Sequence, residues 1–525
     1  MSATVEPPRE AALAAFKALP GATTGLVGYQ CAGTVAVIGN SDALAIAAAL
    51  QPPLTVTALI ATDRSVTDGV VALQGSRLRI EGHLGAFRIH GAAGDGAQVI
   101  EADLIVDLGS RPQLPQPLLP PGYIAWDAGR SGAALNDELQ ALVGSFDKPQ
   151  YFSYDADRCA HARNGVTACT RCIDACPTEA IRPLAEGVEV DPHLCQGGGV
   201  CASVCPSGAI SYAYPSPGDL NSALRAMLRA WRQAGGGAVT LLLHAQESPP
   251  ISPLEQEDLL PVSLEETASA GIDSWFAALA WGASRVLLHL GPEVPAPVVQ
   301  AMDAQLRLAG ELLTGLGYPA GAIGYWSGPE AGAAGAMPAI EAATQAAMHD
   351  KRNGLFMALD HLAGQATAGL PQVKLADGAP FGEIAVAGDR CTLCMACASV
   401  CPGQALQDGQ GEPKLRFVEA KCIQCGLCAR VCPEDAVRLT PRFLYQRAAR
   451  NEMRTLHQEE PFHCVSCGKA FATRSVIESI RAKVAGNWMF QTERAKQRLL
   501  MCEECRVVDV VQDSQAMGIE QLQRR

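Results

Sequence analysis

"CTLCMACASVCP" at residues 391–402 and "CIQCGLCARVCP" at residues 422–433 are two copies of one cysteine pattern. In each copy two residues separate the first three cysteines from one another, three residues separate the third from the fourth, and proline follows. This spacing is typical of iron–sulfur proteins, in which one loop supplies three thiolates to a cubic cluster and the fourth thiolate reaches a neighbouring cluster. The two copies therefore predict a module of two clusters over residues 381–440.

The eight cysteines of this module divide into two ligand sets, because the fourth cysteine of each copy crosses to the other cluster. The predicted sets for two [4Fe–4S] clusters are Cys391, Cys394, Cys397 and Cys432, and Cys422, Cys425, Cys428 and Cys401. A pair of structural zinc sites is the alternative. Zinc does not require a third cysteine at the same spacing, or Cys–Pro in both copies, so the pattern favours iron–sulfur clusters.

A modified version of the module is predicted over residues 151–214. Its first half, "CAHARNGVTACTRCIDACP" (159–177), has nine residues instead of two between the first and second cysteines. A longer loop can still bring both ends to one cluster, so we expect a third [4Fe–4S] cluster. Its predicted ligands are Cys159, Cys169, Cys172 and Cys205. His161 lies in the long loop and is expected to be a surface histidine rather than a ligand.

The second half of the modified module, "CQGGGVCASVCP" (195–206), has Gly198 where the second cysteine would stand. The cysteines that remain for this cluster are Cys176, Cys195 and Cys201. Three thiolates are what a [3Fe–4S] cluster requires. A [4Fe–4S] cluster with water or hydroxide on its fourth iron is an alternative, and loss of the cluster is another. The sequence leaves these three readings open.

Two further CxxC pairs lie in the C-terminal region, in "FHCVSCGKAF" (462–471) and "MCEECRV" (501–507). Cys464, Cys467, Cys502 and Cys505 form a set typical of structural Cys₄ zinc sites. The pattern favours zinc over a fifth iron–sulfur cluster, and His463 is expected to be a neighbour rather than a ligand. The region 441–525 is expected to be a largely helical tail that carries this metal site.

The parts of the chain without cysteine clusters have α/β patterns. "TVAVIG" (34–39) and "TVTALIA" (55–61) are typical buried strands with a helical stretch between them, and "LRIEGHLGAFRIHG" (78–91) alternates as a hairpin does. Residues 1–150 therefore predict a degenerate Rossmann-like domain. It lacks the G-x-G-x-x-G turn, so we do not expect dinucleotide binding.

Residues 215–380 predict a second α/β domain between the two cysteine modules. Strand patterns in "AVTLLLH" (238–244), "RVLLHL" (285–290) and "AIGYW" (322–326) are separated by helical patterns. The expected fold class is therefore a multidomain α/β plus α+β protein. It has two ferredoxin-like modules, two small α/β regions and the C-terminal metal-binding tail.

The composition limits the functional classes. The chain has 525 residues, 20 cysteines and a formal net charge of −13, which disfavours binding to nucleic acid or to an anionic membrane. The start, "MSATVEPPREAALAAF", has no basic or apolar signal region, and proline or charge interrupts the apolar stretches. We expect a cytoplasmic protein without direct membrane insertion, whose reduced thiols hold metal.

The two modules resemble bacterial-type two-cluster ferredoxin domains. The wider layout resembles large ferredoxin-type proteins that accompany bacterial formate dehydrogenases, and "DADRCAHARNGVTACTRCIDACP" (155–177) and "CQGGGVCASVCPSGAISYAYP" (195–215) carry most of this likeness. The resemblance implies redox protein partners, among them a formate dehydrogenase.

These patterns predict an electron-transfer protein, or a non-catalytic oxidoreductase subunit, that relays single electrons between redox partners. An iron–sulfur flavoenzyme, with flavin or substrate in an α/β domain, is the main alternative. An assembly or regulatory factor that senses oxygen through a labile cluster is a third possibility.

Overall fold

The structure is a computed structural model that describes residues 7–18, 24–40, 42–61, 70–93, 96–126, 131–246, 256–328 and 335–513. The chain folds into two compact units, each made of two segments. The first unit comprises Met1–Ala156 and Thr170–Gly369, and the second comprises Asp157–Cys169 and Leu370–Arg525. The start of the chain (1–6), where a signal region was not expected, and the end of the predicted tail (514–525) lie outside the described residues.

The N-terminal part of the first unit is a seven-stranded sheet. Thr34–Gly39 is an interior strand of this sheet and has four consecutive buried residues, as expected for a strand covered on both faces. The helices Asp42–Ala49 and Gly132–Ala141 pack on one face. In spatial order the strands are Gly96–Ala102, Phe87–Ala93, Val70–Glu81, Thr55–Ala61, Thr34–Gly39, Leu104–Asp107 and Tyr123–Ala125.

The first three strands of this order are antiparallel, including the hairpin predicted at residues 78–91, and the other neighbouring pairs are parallel. The proline-rich segment 111–120 supplies Leu114 and Leu119 to the face that the helices do not cover. Leu26–Cys31 and Gly144–Pro149 form a separate antiparallel pair. The sheet therefore matches the predicted α/β pattern, with a proline-rich cover in place of helices on one face.

A four-stranded parallel sheet forms the other large part of the first unit. In order its strands are Leu259–Leu264, Thr240–Ala245, Arg285–His289 and Ile323–Tyr325. The helices of this part are Pro217–Gln233, Ile272–Ala280, Ala296–Gly315 and Lys351–Gln365, and Pro8–Lys17 packs against the first of them. Trp275 and Phe276 are fully buried in its core. The three strands predicted between residues 238 and 326 lie at these positions.

Short elements of the modified cysteine module connect the two sheets of the first unit. Phe152–Tyr154 pairs with Ile210–Tyr212, and Ile181–Pro183 pairs with Val188–Val190. The helices Arg171–Ala175 and Val200–Val204 each end immediately before a Cys–Pro pair. This repeated arrangement follows from the repeated Cys–Pro pair in the sequence. Proline has no backbone N–H to donate to the preceding turn, so the helix ends before it.

The second unit contains the complete cysteine module. Its two three-stranded sheets have the orders Gln372–Lys374, Val437–Leu444, Gly382–Val386 and Leu406–Gly409, Glu412–Val418, Met453–Gln458. The short helices Ala396–Ser399 and Leu427–Val431 follow the cysteine loops. From the first segment, Ala162–Arg163 pairs with Val166–Thr167.

The tail was expected to be largely helical, but strands form its first part. Met453–Gln458 continues the sheet of the cysteine module by pairing with Glu412–Val418, and Pro461–His463 pairs with Ala470–Thr473. The helices of the tail are Arg447–Asn451, Arg474–Val484, Glu493–Arg498 and Glu503–Val511. Throughout the described ranges, every helix is too short or too polar to cross a lipid bilayer.

Candidate metal centres

Two cavities of nearly equal size lie in the complete cysteine module. Counted together with the adjoining space that is open to solvent, the non-atom volume is about 360 Å³ in one and about 330 Å³ in the other. The thiols on the wall of the first are those of Cys391, Cys394, Cys397 and Cys432, and the thiols on the wall of the second are those of Cys401, Cys422, Cys425 and Cys428. Each cavity thus receives three cysteines from one sequence copy and one from the other, which is the grouping that the crossover rule predicts.

The cysteine loops of both copies alternate in backbone handedness. Leu393 and Met395 have positive φ in the first copy, and Gln424 and Gly426 have positive φ at the same places in the second. Left-handed residues between right-handed ones turn successive backbone N–H groups toward one side, which creates a concave anion-binding surface. Such a surface suits the sulfides and thiolates of a cluster.

Backbone N–H groups also contact the crossover sulfurs. Ala405 N donates to Cys401 Sγ at 3.2 Å, and Ala436 N donates to Cys432 Sγ at 3.3 Å. The donor lies four residues after the cysteine in both copies, so the two contacts are equivalent. Donors to sulfur favour the thiolate, and in iron–sulfur proteins they raise the reduction potential of the cluster.

Burial raises the pKa of several thiols in these cavities. Burial raises the pKa of Cys397 to about 12, and the other thiols of its cavity add to the increase. Burial likewise raises the pKa of Cys425 to about 12. Four thiolates in such a place need positive charge among them, and the iron of a cluster supplies it. The donor set and its surroundings therefore fit [4Fe–4S] clusters.

The two cavities lie close to each other. Burial and the thiols of its own cavity raise the pKa of Cys428, and Cys397 of the other cavity adds to the increase. Similarly, Cys169 in the first segment of this unit contributes to the raised pKa of Cys425. Cys397 and Cys428 are thus within electrostatic range of each other, as are Cys169 and Cys425.

The modified module brings Cys176, Cys195 and Cys201 together within the first unit. Burial raises the pKa of Cys201 well above its usual value, and Cys195, Cys176 and Cys172 increase it further. Gly197 and Gly199 have positive φ, at the places that Gln424 and Gly426 occupy in the complete module. The loop 195–201 therefore retains the backbone pattern of a cluster loop although Gly198 replaces its second cysteine.

Side chains distant in sequence support this loop. Lys148 Nζ donates to the carbonyl oxygens of Cys195 and His193 at 2.6 and 2.9 Å, and Tyr212 Oη donates to Gly197 O at 2.9 Å. Burial raises the pKa of Cys195, and the Lys148 ammonium opposes that increase. Sequence reasoning missed Lys148, because no motif connects a lysine in the strand Gly144–Pro149 with the cysteine loop.

The remaining predicted set, Cys159, Cys169, Cys172 and Cys205, is divided between the units. Cys159 and Cys169 belong to the second, and Cys172 and Cys205 to the first, so this ligand set stays a prediction. The expected surface position of His161 is wrong. Its side chain is 3% exposed and its Nδ1 lies 2.8 Å from Cys169 O, because the hairpin at residues 162–167 folds the long loop back on itself.

The C-terminal cysteines form the tightest thiol group. One ligand atom from each of Cys464, Cys467, Cys502 and Cys505 lies within 4.8 Å of all the others, and among the described residues this is the one such group of metal-ligating side chains. Cys467 Sγ and Cys502 Sγ are 3.7 Å apart. Sulfurs bound to one tetrahedral zinc at about 2.3 Å are about 3.8 Å apart, whereas each thiolate of a cube binds a different iron. The geometry therefore fits a single ion.

Hydrogen bonds to Cys464 Sγ favour the thiolate form, which is the form that binds a metal cation. Cys502 N donates to Cys464 Sγ at 3.2 Å. Burial would raise the pKa of Cys464, but N–H donors from Cys502, Cys467 and Ser466 lower it to about 6. His463 is exposed and its Nδ1 lies 2.9 Å from Gly468 O, so it lies outside the group.

Comparison with known protein families gives matches to both modules. Two family models, each described as "4Fe-4S dicluster domain", match the chain: one at residues 390–437, the other at residues 167–209 and 421–473. The matched segments cover well under half of the chain. A comparison with curated proteins found no match. The chain therefore contains 4Fe–4S dicluster ferredoxin-type domains within a mixed α/β multidomain fold, and these domains imply an iron–sulfur electron-transfer role.

Proposed function

We propose that this protein relays single electrons between redox partners through the two cubic clusters of residues 391–432 and a further cluster or clusters in the modified module. The observation that carries the proposal is the pair of cavities, each with four cysteines on its wall. When bound, each cluster accepts and returns one electron, at a potential within about −700 to +450 mV.

The protein's own residues control this chemistry by excluding water and by donating hydrogen bonds. Leu415 and Val437 line the first cavity and Ile384 and Leu439 the second, so apolar side chains enclose both sites. The N–H donors to the crossover sulfurs stabilise the more negative, reduced state. The electrostatic proximity of Cys397 and Cys428 supports electron exchange between the two clusters.

Anaerobic purification followed by iron, sulfide and flavin analysis tests the proposal. We expect about eight iron atoms per chain from residues 391–432, because two cubes contain four each. We also expect paramagnetic signals of interacting reduced clusters after dithionite. A colourless protein without labile sulfide would refute the proposal, and a releasable flavin would favour a flavoenzyme instead.

For the electron donor we propose a formate dehydrogenase. The support is the resemblance carried by residues 155–177 and 195–215, together with the expected reducing, cytoplasmic setting of the thiols. Stopped-flow mixing with formate and a purified dehydrogenase should bleach the visible absorption of the clusters. Equal bleaching rates with a non-cognate dehydrogenase would remove the formate-specific part of the proposal and leave electron transfer intact.

At the C-terminal group we propose a structural zinc ion. The short Cys467–Cys502 sulfur separation supports a mononuclear site. The expected ratio is one zinc per chain in protein that also contains its full complement of iron. Sulfide in excess of the other clusters, with no zinc, would support a fifth cluster instead.

A further inference from the structure

We propose that the Cys176, Cys195 and Cys201 site binds a cubic cluster whose fourth iron, at the corner beside Gly198, is labile and takes its ligand from solution. The ligand would be small and monodentate: water, hydroxide or a low-molecular-weight thiolate. This inference rests on the proposed function, because it assumes that the chain assembles iron–sulfur clusters.

The backbone of loop 195–201 is the first support. Positive φ occurs at the third and fifth positions in all three "C-x-x-[C/G]-x-x-C" loops: Leu393 and Met395, Gln424 and Gly426, and Gly197 and Gly199. A loop that had lost its cluster would have no reason to keep left-handed backbone at both places. Gly198 therefore stands where the second thiolate of a cluster loop would begin.

The three consecutive glycines are not equivalent. A Cβ on Gly197 would lie 2.9 Å from the Tyr151 ring, and a Cβ on Gly199 would lie 2.5 Å from Ser269 Cα. In contrast, a Cβ on Gly198 would have no atom within 4 Å among the described residues, and this residue is half-buried between two buried neighbours. The space beside Gly198 is thus open enough for a small ligand.

The neighbouring glutamine does not replace the missing thiolate. Gln196 Nε2 donates to Leu119 O at 2.8 Å, which holds its amide against the proline-rich segment. The loop itself is fixed by Lys148 and Tyr212 through the carbonyl groups of Cys195 and Gly197. A rigid loop with an open corner leaves the fourth iron to a ligand from outside the chain.

The expected exchange is balanced in atoms and electrons. A one-electron oxidant such as ferricyanide converts [4Fe–4S]²⁺ into [3Fe–4S]⁺ with release of Fe²⁺, and the oxidant accepts the electron. After a one-electron reduction of the product, [3Fe–4S]⁰ takes up Fe²⁺ and becomes [4Fe–4S]²⁺. Cubes with four cysteine ligands resist this loss, because each iron is bonded to a protein thiolate.

The experiment uses the full-length holoprotein and two variants at one position. Gly198→Cys supplies the missing thiol, and Gly198→Ala fills the same space without a ligand. Each protein is treated anaerobically with one equivalent of ferricyanide, reduced, and incubated with ⁵⁷Fe²⁺ and 2-mercaptoethanol. Mössbauer and paramagnetic resonance spectra then measure the incorporated iron and the oxidised three-iron signal.

We expect wild type and Gly198→Ala to give the three-iron signal and to incorporate about one ⁵⁷Fe per chain. In Gly198→Cys, both the three-iron signal and the incorporated ⁵⁷Fe should be at least tenfold lower. Equal incorporation by Gly198→Cys, or none by wild type, would overturn the inference. If Gly198→Cys does not fold, Cys201→Ser replaces it in the test. Because this variant lacks one of the three cysteine ligands, it should lose the iron exchange that wild type shows. The reduced signals of the 391–432 module report separately on the proposed function, and their presence without exchange would refute this inference alone.

Discussion

Replacing Glu419 with glutamine should destabilise the second unit while leaving all cysteines in place. The Glu419 side chain is 4% exposed and lies in the turn that leads to Cys422. Its carboxylate accepts from Arg442 Nε and Nη2 at 3.0 and 2.8 Å and from Arg454 Nη2 at 2.6 Å. This one buried carboxylate thus connects three strands around the cluster loop: Glu412–Val418, Val437–Leu444 and Met453–Gln458.

The expected loss can be derived from these contacts. Breaking a buried ion pair costs about 3–5 kcal/mol, but both arginines keep some access to water and glutamine still accepts a hydrogen bond. Arg442 also keeps its contact with Glu383 at 2.7 Å. We therefore expect a decrease of about 3 kcal/mol in the free energy of unfolding. For a unit of this size, such a decrease lowers the thermal midpoint of unfolding by about 6–12 °C.

The assay follows loss of the visible cluster absorption during anaerobic heating at a fixed scan rate. Glu412→Gln is the matched control, because Glu412 lies on the strand that precedes Glu419 and pairs with Lys414 at the surface, at 2.6 Å. Surface pairs contribute about 0–1 kcal/mol, so this variant should shift the midpoint little. Equal shifts for the two variants would refute the assignment of Glu419 as the connector of these strands.

Three further changes test the sites. Cys432→Ala should lower the iron content and weaken the signals of both clusters in its module, and full iron content with both signals intact would contradict the crossover. Gly199→Ala should lower the free energy of unfolding by about 2 kcal/mol more than Gly426→Ala does, and so lower the thermal midpoint of cluster loss further. Both positions have positive φ, but the added Cβ meets Ser269 only at Gly199, so equal midpoints would argue against the tight packing there. Cys505→Ser should remove most of the zinc without lowering the iron content, as measured by metal analysis, whereas a parallel loss of iron and sulfide would indicate a cluster at that site.

The sequence predicted the local structure around the cysteines well, because the spacing of the thiols and the Cys–Pro pairs restricts the backbone directly. The strands at residues 34–39 and 55–61 also followed from short apolar runs that need cover on both faces. Neither result required knowledge of distant contacts.

The misses have a common physical cause. The burial of His161 depends on a hairpin only two residues long on each side, and the strand Met453–Gln458 depends on an open edge of the neighbouring sheet. Lys148 acts on carbonyl groups about 45 residues away in sequence. Long-range pairing of this kind leaves no periodic signal in a single sequence.

The division of the chain into discontinuous units has a practical consequence for dissecting the protein. Residues 157–169 belong with 370–525, and Thr167 O accepts a hydrogen bond from Arg430 inside that unit. A single cut between residues 369 and 370 would separate residues 157–169 from the rest of the unit to which they belong. Complementation by two separately expressed halves would therefore need residues 157–169 to be fused to the second half.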